Sequence, residues 1–206
     1  MPAELLVNAR SFLSRLNETN TREWFLANKA EYESNLRAPA QRLLDRVAED
    51  LERLTRTPIV TKIFRPNRDV RFSKDKSPYT THLHMLWRQS TRDDGPGWFY
   101  GIAPDYAKAG FGWMEFSKDQ LSAWRMAIDG PFGPGVDAAI RSTGLSLPEP
   151  DLKRVPQGHE PDHPQADLLR RKGLVLWQDD VDSDPEALIE VFQKVDPVRQ
   201  QLEGLL

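Results

Sequence analysis

Cations recur at every third position in one short segment of the chain. The series is Lys62, Arg65, Arg68, Arg71 and Lys74, with Lys76 two positions later. Asp69 and Asp75 are the only acids between them, so residues 62–76 carry a charge of +4. The remainder of the chain then carries −7, because the whole chain carries −3. So dense a group of cations either lies in water or binds an anion.

Arginine suits anion binding because its planar guanidinium makes paired hydrogen bonds to phosphate or carboxylate. We therefore predict a small phosphorylated or carboxylated ligand. The candidate ligand-binding residues are Arg65, Arg68, Asp69, Arg71, Lys74, Lys76, Tyr79, His84, Lys153 and Arg154. In an enzyme these cations would stabilise developing negative charge. His84 or Asp69 would then carry a proton, but the sequence names no reaction and no catalytic residue.

Two other uses of the basic segment stay open. It is also typical of a local nucleic-acid-binding module, although the acidity of the whole chain argues against a protein that coats nucleic acid. Alternatively, the arginines pair with neighbouring carboxylates and only pin loops inside a protein-interaction domain. Burial of each arginine against its own carboxylate would favour that structural network, whereas arginines that meet in an open cleft would favour a ligand.

The three-residue spacing prevents these cations from all lying on one face of a strand. In a strand, Arg65 and Arg71 would point one way and Arg68 the other, because side chains alternate between faces. Pro66 also disfavours a continuous central strand, since proline has no backbone N–H to donate. We expect two short extended pieces with a turn near Pro66 and Asn67.

The four histidines offer a weaker case for a metal. His82 and His84 share one face of a predicted strand, and His159 and His163 flank acidic residues. Pro161 disrupts the helical spacing that would make the second pair specific. The chain has no cysteine, so cysteine-based zinc sites and disulfides are excluded. We predict no metal and no cofactor.

Hydrophobic periodicity predicts the elements that position these residues. Three helices fill the first third; Asn20 caps the second, with Glu23 completing a capping box, and Pro39 lies in the first turn of the third. Strands are expected at 59–64, 82–88, 98–103, 111–116 and 174–178, with Gly110 in a loop. Further helices are expected at 119–129, 136–142, 165–171 and 184–206. The fold class is α+β: N-terminal helices packed on a mainly antiparallel sheet, with further helices in the C-terminal third.

Length and composition predict one domain spanning residues 1–206. The apolar runs are far shorter than the ~20 residues that cross a bilayer, and the N-terminus lacks the pattern of a signal peptide. We therefore expect a cytoplasmic protein without membrane contact. A small anion is the expected partner, with nucleic acid less favoured, and the sequence does not indicate the oligomeric state.

Three stretches together resemble a known family. They are residues 20–29, residues 64–79 (Phe-Arg-Pro-Asn-Arg-Asp-Val-Arg-Phe-Ser-Lys-Asp-Lys-Ser-Pro-Tyr) and residues 152–158. In order and spacing they resemble the domain of unknown function 2461 family over nearly the whole chain. The resemblance implies a single-domain, mainly bacterial protein without a general activity. Two positions depart from the family pattern: Pro66 replaces an apolar residue, and Thr80 replaces a lysine.

Overall fold

Helices form the N-terminal part of the protein. The structure, a computed structural model, describes residues 2–91 and 94–203. The first elements are α1 (Pro2–Glu18), α2 (Arg22–Ala27), α3 (Lys29–Glu31), a π-helix (Tyr32–Arg37) and α4 (Ala38–Thr55). Most residues of the predicted apolar stripes are buried, including Phe12 and Leu16 of α1 and Leu44 and Val47 of α4, whereas Leu26 of α2 is exposed. Pro39 lies in the first turn of α4, as predicted.

A five-stranded sheet follows these helices. Its strands are β1 (Ile59–Ile63), β2 (Leu83–Gln89), β3 (Gly97–Ile102), β4 (Ala107–Trp113) and β5 (Leu174–Asp179), in the spatial order β1-β2-β3-β4-β5. β2 pairs antiparallel with both β1 and β3. The predicted face of β2, with Leu83, Met85 and Trp87, is buried, and Trp87 Nε1 donates to the Leu44 carbonyl at 2.9 Å. The α+β prediction is confirmed.

β4 begins earlier than the sequence pattern predicted. A hydrogen bond of 2.9 Å from Ala103 N to the Tyr106 carbonyl closes a tight turn, so the strand starts at Ala107 and ends at Trp113. Gly110 therefore lies in the strand, and its predicted place in a loop was wrong. Gly112 has a φ of 141°, and a Cβ at that position would overlap the Leu174 carbonyl oxygen of β5. The close approach of β4 and β5 requires glycine there.

The C-terminal helices occur where they were predicted, but their lengths differ. They are α5 (Lys118–Asp129), α6 (Gly133–Thr143), α7 (Ala166–Leu169), α8 (Pro185–Lys194) and α9 (Asp196–Glu203). Of these, α5 and α6 are longer than expected and α7 is shorter. The single helix expected at 184–206 is two helices that break at Val195. Pro197 gives a reason, because it has no N–H to donate and its ring would clash with the carbonyl of residue 193 in a continuous helix. Residues 204–206 lie outside the described part. In the described ranges, no helix combines the length and apolarity needed to cross a bilayer.

The chain groups into two compact units. The first comprises Met1–Ala109 and Asp179–Glu190, and the second comprises Gly110–Gln178 and Val191–Leu206. The core of the first contains Trp87 and Trp98. In the second, Trp124 is fully buried and donates from Nε1 to the Leu168 carbonyl at 3.0 Å. The prediction of a single domain over residues 1–206 stays a prediction.

Asn20 has a different role from the helix cap predicted for it. The cap of α2 is Thr21, whose Oγ1 accepts a hydrogen bond of 3.2 Å from Trp24 N. Asn20 instead binds the backbone of Tyr79: its Nδ2 donates to the carbonyl at 2.9 Å, and its Oδ1 accepts from the N–H at 3.1 Å. One side-chain amide therefore satisfies both backbone groups of a residue in a distant segment.

Replacing Asn20 with alanine removes both hydrogen bonds and leaves buried backbone groups of Tyr79 without partners. We expect Asn20→Ala to lower the free energy of unfolding by about 1–3 kcal/mol, measured by urea denaturation. Asn17→Ala is the matched control, because the Asn17 side chain is exposed and makes no hydrogen bond within the described ranges. Equal losses in the two variants would contradict a stabilising role for the Asn20 amide.

Candidate functional site

The basic segment forms a loop between β1 and β2. Two backbone hydrogen bonds close its stem, from Arg68 N to the Pro78 carbonyl (2.9 Å) and from Thr80 N to the Pro66 carbonyl (2.7 Å). Asn67 and Tyr79 face each other as an antiparallel pair inside this stem. We call residues 67–80 the basic loop. The chain bends at Pro66, as expected, but its reversal lies farther along, within residues 69–77.

Most cations of the basic loop bind oxygen atoms of the same loop. Arg68 pairs with Asp75 and donates to the Ser77 carbonyl at 3.2 Å. Arg71 makes a bidentate pair with Asp69, with Nη2 at 2.6 Å from Oδ2. Lys76 donates to the Val70 carbonyl at 3.0 Å, and Lys74 is exposed. These contacts give the loop a fixed internal shape.

Hydrogen bonds hold both carboxylates of the loop in their charged form. Those from the side chain and backbone of Arg71 lower the pKa of Asp69 from its ordinary value. Hydrogen bonds from Ser77, followed by the contact with Arg68, lower the pKa of Asp75. Both carboxylates are exposed, so these contacts fix geometry and add little stability.

Arg65 lies outside these pairs and lines a cavity of about 450 Å³. The other wall of this cavity is the helical segment that runs from α2 to α4. We call the cavity the π-helix cleft, because the π-helix contributes Tyr32, Glu33 and Arg37 to its lining. The side chain of Arg65 has no hydrogen bond or ion pair among the described residues. It is therefore available to a ligand.

Four polar residues of the helical wall follow one another at four-residue intervals. They are Lys29, Glu33, Arg37 and Gln41, and all four line the cleft. In an α-helix each such step turns about 40° past a full turn, which would move the row around the helix. The π-helix has wider turns, with hydrogen bonds that join residues five apart, so the step from Glu33 to Arg37, which lies within it, offsets part of that drift.

Pro39 gives a physical reason for the π-helix. Its ring would clash with the carbonyl of residue 35 in a regular α-helix, and it has no N–H to donate. The wider turns before Pro39 relieve this conflict, and the Ala38 N–H donates to the Glu33 carbonyl five residues earlier. Sequence reasoning missed the polar row because only the apolar side of this helix was considered; the four-residue spacing was the available signal.

The helical row makes the π-helix cleft positively charged. Lys29, Arg37 and Arg65 contribute three cations, and Glu33 contributes the single carboxylate of the lining, so the net charge is +2. Arg37 Nη1 lies 3.3 Å from Glu33 Oε2, whereas the side chain of Lys29 has no ion pair in the described ranges. Burial, followed by the charge of Glu33, raises the pKa of Tyr32 to about 12, so its hydroxyl remains protonated at neutral pH.

A second, smaller cavity shares Tyr79 with the π-helix cleft. It measures about 320 Å³, and its lining includes Asn17, Asn20, Arg68, Asp75, Ser77 and His82. We call it the polar cleft. Its one arginine is already paired with Asp75. Tyr79 lines both cavities, but Arg65 and Arg68 line different ones, so the arginines of the basic segment do not share a single cleft.

His84 lies on the face of β2 opposite the buried core residues. Its ring stacks on His82 with centroids 3.8 Å apart, and its Nε2 lies 2.7 Å from the Tyr106 hydroxyl. A Cβ on Gly101 would lie 2.9 Å from the His84 ring, so glycine makes room for this pair. Burial, followed by the charges of His82 and Lys108, lowers the pKa of His84 to about 4. The imidazole is therefore neutral at pH 7.

The other candidate residues do not join either cleft. Lys153 and Arg154 are exposed and belong to the second compact unit. In that unit, His159 Nδ1 and His163 Nε2 face Asp129 Oδ1 at 3.2 and 3.5 Å. Across the described ranges, no three histidine, aspartate or glutamate side chains form a group that would hold a metal ion.

The low pKa of His84 predicts a loss of stability in acid. Its pKa of about 4 in the folded protein lies below the ordinary value of 6.5, so the unfolded chain takes up the proton first as the pH falls. The stabilisation is present above pH 6.5 and is lost towards pH 4. After allowing for the exposed part of the ring, we expect a loss of about 2 kcal/mol, measured by urea denaturation at several pH values.

His84→Gln should remove this part of the pH dependence, since glutamine does not titrate. The difference between the wild-type and variant profiles isolates the contribution of His84 from that of the carboxyl groups. Parallel profiles between pH 6.5 and 4, or an NMR titration of the His84 ring with an ordinary midpoint, would contradict the assignment.

Comparison with known proteins assigns the chain to a family whose description names no activity. A search of curated proteins found no match. A family model described as "Conserved hypothetical protein (DUF2461)" matches residues 8–201, which is nearly the whole chain. The match confirms the resemblance that the three motifs indicated. The protein therefore belongs to the DUF2461 family.

Proposed function

We propose that the protein binds a small phosphorylated or carboxylated ligand in the π-helix cleft. The observation that carries this proposal is Arg65, a cation that lines the cleft and forms no hydrogen bond or ion pair among the described residues, although its charge acts on Asp69. Lys29, on the facing helical wall, also lines the cleft and forms no ion pair among the described residues. An unpaired guanidinium at a cavity wall has its hydrogen-bonding fork available for an anion.

The size and charge of the cleft support the same ligand class. Its volume of about 450 Å³ lies within the range of small-molecule sites, roughly 300–1,000 Å³. Its net charge of +2 favours an anion over a neutral compound. Gln41 and Asn67 also line the cleft. Gln41 Nε2 already donates to Asp45 Oδ1 at 2.8 Å, which leaves its carbonyl oxygen and the Asn67 amide for the rest of a ligand.

The proposed anion site lies beside the basic loop, at Arg65, and not among the paired cations within the loop. Of the residues that the sequence suggested, Arg65 and Tyr79 line the π-helix cleft. Arg68 and Arg71 are already paired with Asp75 and Asp69, so an anion would have to compete with those carboxylates. Asp69, Lys74 and Lys76 are outside the lining of the cleft, and their ligand-binding role stays a prediction.

Arg65→Gln tests the proposal directly. A thermal-shift panel of phosphorylated and carboxylated compounds at low salt first selects a binder, and isothermal titration calorimetry then measures its Kd. We expect Arg65→Gln to weaken binding about 10- to 100-fold, because it removes charge-assisted hydrogen bonds worth about 1.5–3 kcal/mol. Lys29→Gln should weaken binding in the same direction.

Arg42→Gln is the matched control for these variants. Arg42 is an exposed cation on α4, next to Gln41 in sequence but outside the lining of the cleft. Its loss changes the net charge of the protein as Arg65→Gln does. Equal effects of Arg65→Gln and Arg42→Gln would attribute binding to overall charge and contradict a site in the cleft, as would a panel without any binder.

A second candidate function is supported by Phe72 at the tip of the basic loop. This side chain is 95% exposed, and the guanidinium carbon of Arg71 lies 5.9 Å from its ring centroid. Exposed rings beside cations bind the bases of single-stranded nucleic acid. However, Asp69 and Asp75 offset Arg71, Lys74 and Lys76, so residues 69–76 carry only +1. We therefore place nucleic-acid binding second.

Labelled oligothymidylates of increasing length separate this alternative from small-anion binding. A nucleic-acid module would bind longer strands more tightly and lose affinity with added salt. Phe72→Ala would then weaken binding roughly 5- to 100-fold, as expected when one stacked base is lost; fluorescence anisotropy gives the Kd. Val60→Ala, which removes an exposed apolar side chain outside the loop, is the control. Affinity independent of Phe72 and of strand length would exclude the module.

A further inference from the structure

We infer that the ligand of the π-helix cleft is amphipathic, with an anionic group joined to an aryl or short acyl group. This inference rests on the proposed binding of an anion in the same cleft. The cations account for one end of such a ligand. The apolar residues of the lining account for the other, and a bare inorganic anion would leave them uncovered.

Two apolar side chains of the cleft are exposed to solvent. Leu26 of α2 is 66% exposed and Phe64, just after β1, is 39% exposed. Both line the cavity, on its helical wall and on its strand wall. Apolar surface that faces water inside a cavity is characteristic of a ligand site, because an apolar ligand group gains affinity by covering it.

Buried aromatic rings line the same cavity. The rings of Phe25 and Tyr79 are stacked with centroids 4.1 Å apart and an interplanar angle of 18°. The Tyr32 ring packs against Phe25 at 5.3 Å. All three residues line the cleft and are buried. Because these rings pack against one another, they hold the apolar part of the lining in place.

The shape of the cleft suits a ligand longer than an ion. The row from Lys29 to Gln41 spans twelve residue-to-residue steps, which is roughly 18 Å at the α-helical rise of about 1.5 Å per residue. Leu26 lies near the end of α2 and Lys29 begins α3, and both line the cleft, so an apolar and a cationic lining residue are only three positions apart in the chain. A compound with a charged group next to a ring or acyl chain matches this order.

Phenyl phosphate and inorganic phosphate test the inference, because they share the anionic group and differ in the ring. We expect phenyl phosphate to bind the full-length protein about tenfold more tightly by isothermal titration calorimetry, as expected if part of the ring is removed from water. Benzyl alcohol, which has the ring without the charge, should not bind. Equal Kd values for the two phosphates would overturn the inference while leaving the proposed anion site intact.

Two variants test whether the apolar lining of the cleft causes the preference for phenyl phosphate over inorganic phosphate. Leu26→Gln should reduce the affinity ratio of phenyl phosphate to inorganic phosphate, since it removes apolar surface from the cleft. Val7→Gln is the matched control, because Val7 is a similarly exposed apolar residue on α1 outside the lining; it should leave both Kd values unchanged. A ratio unaffected by Leu26→Gln would overturn the inference. If neither phosphate binds, the inference fails; the proposed function fails as well when the panel of phosphorylated and carboxylated compounds contains no binder.

Discussion

The hydrogen bonds between the Asn20 side chain and the Tyr79 backbone set the geometry of both clefts. They join the segment after α1 to the stem of the basic loop. Tyr79 is thereby held with its ring on Phe25, and it forms part of the lining of each cavity. Any movement of Tyr79 would change both linings together. The Asn20 amide can fix Tyr79 because it binds one donor and one acceptor of the same residue, and both hydrogen bonds require the same orientation of the Tyr79 backbone.

The carboxylates of the basic loop decide which cations are left for a ligand. Asp69 and Asp75 bind Arg71 and Arg68, and they do so within a few residues of the same loop. Exposed ion pairs of this kind contribute little to stability, so their main effect is to shape the loop. Arg65 precedes the loop stem and has no such partner. A segment with a charge of +4 therefore supplies one available guanidinium to a cleft.

The π-helix accommodates Pro39 and also determines where the polar side chains of the helical wall point. Pro39 disfavours a regular turn before it, and the wider turn of Tyr32–Arg37 aligns the polar row from Lys29 to Gln41. π-helical turns are rare and are frequent at functional sites. Here the same local feature accommodates a proline and keeps the charged residues on one wall.

Local periodicity by itself predicted the helical stripes, the strands β1 and β2 and the α+β class, because burial imposes a repeat on each element separately. The family was also evident from the motifs of the chain. The limits of β4 were not evident from the sequence. They depend on packing against β5, where the Leu174 carbonyl leaves room only for glycine at position 112. The basic segment was visible in the sequence, but its ion pairs were not assigned. Only tertiary packing brought Lys29 and Arg37 opposite Arg65, because contacts between distant segments leave no repeat in either one.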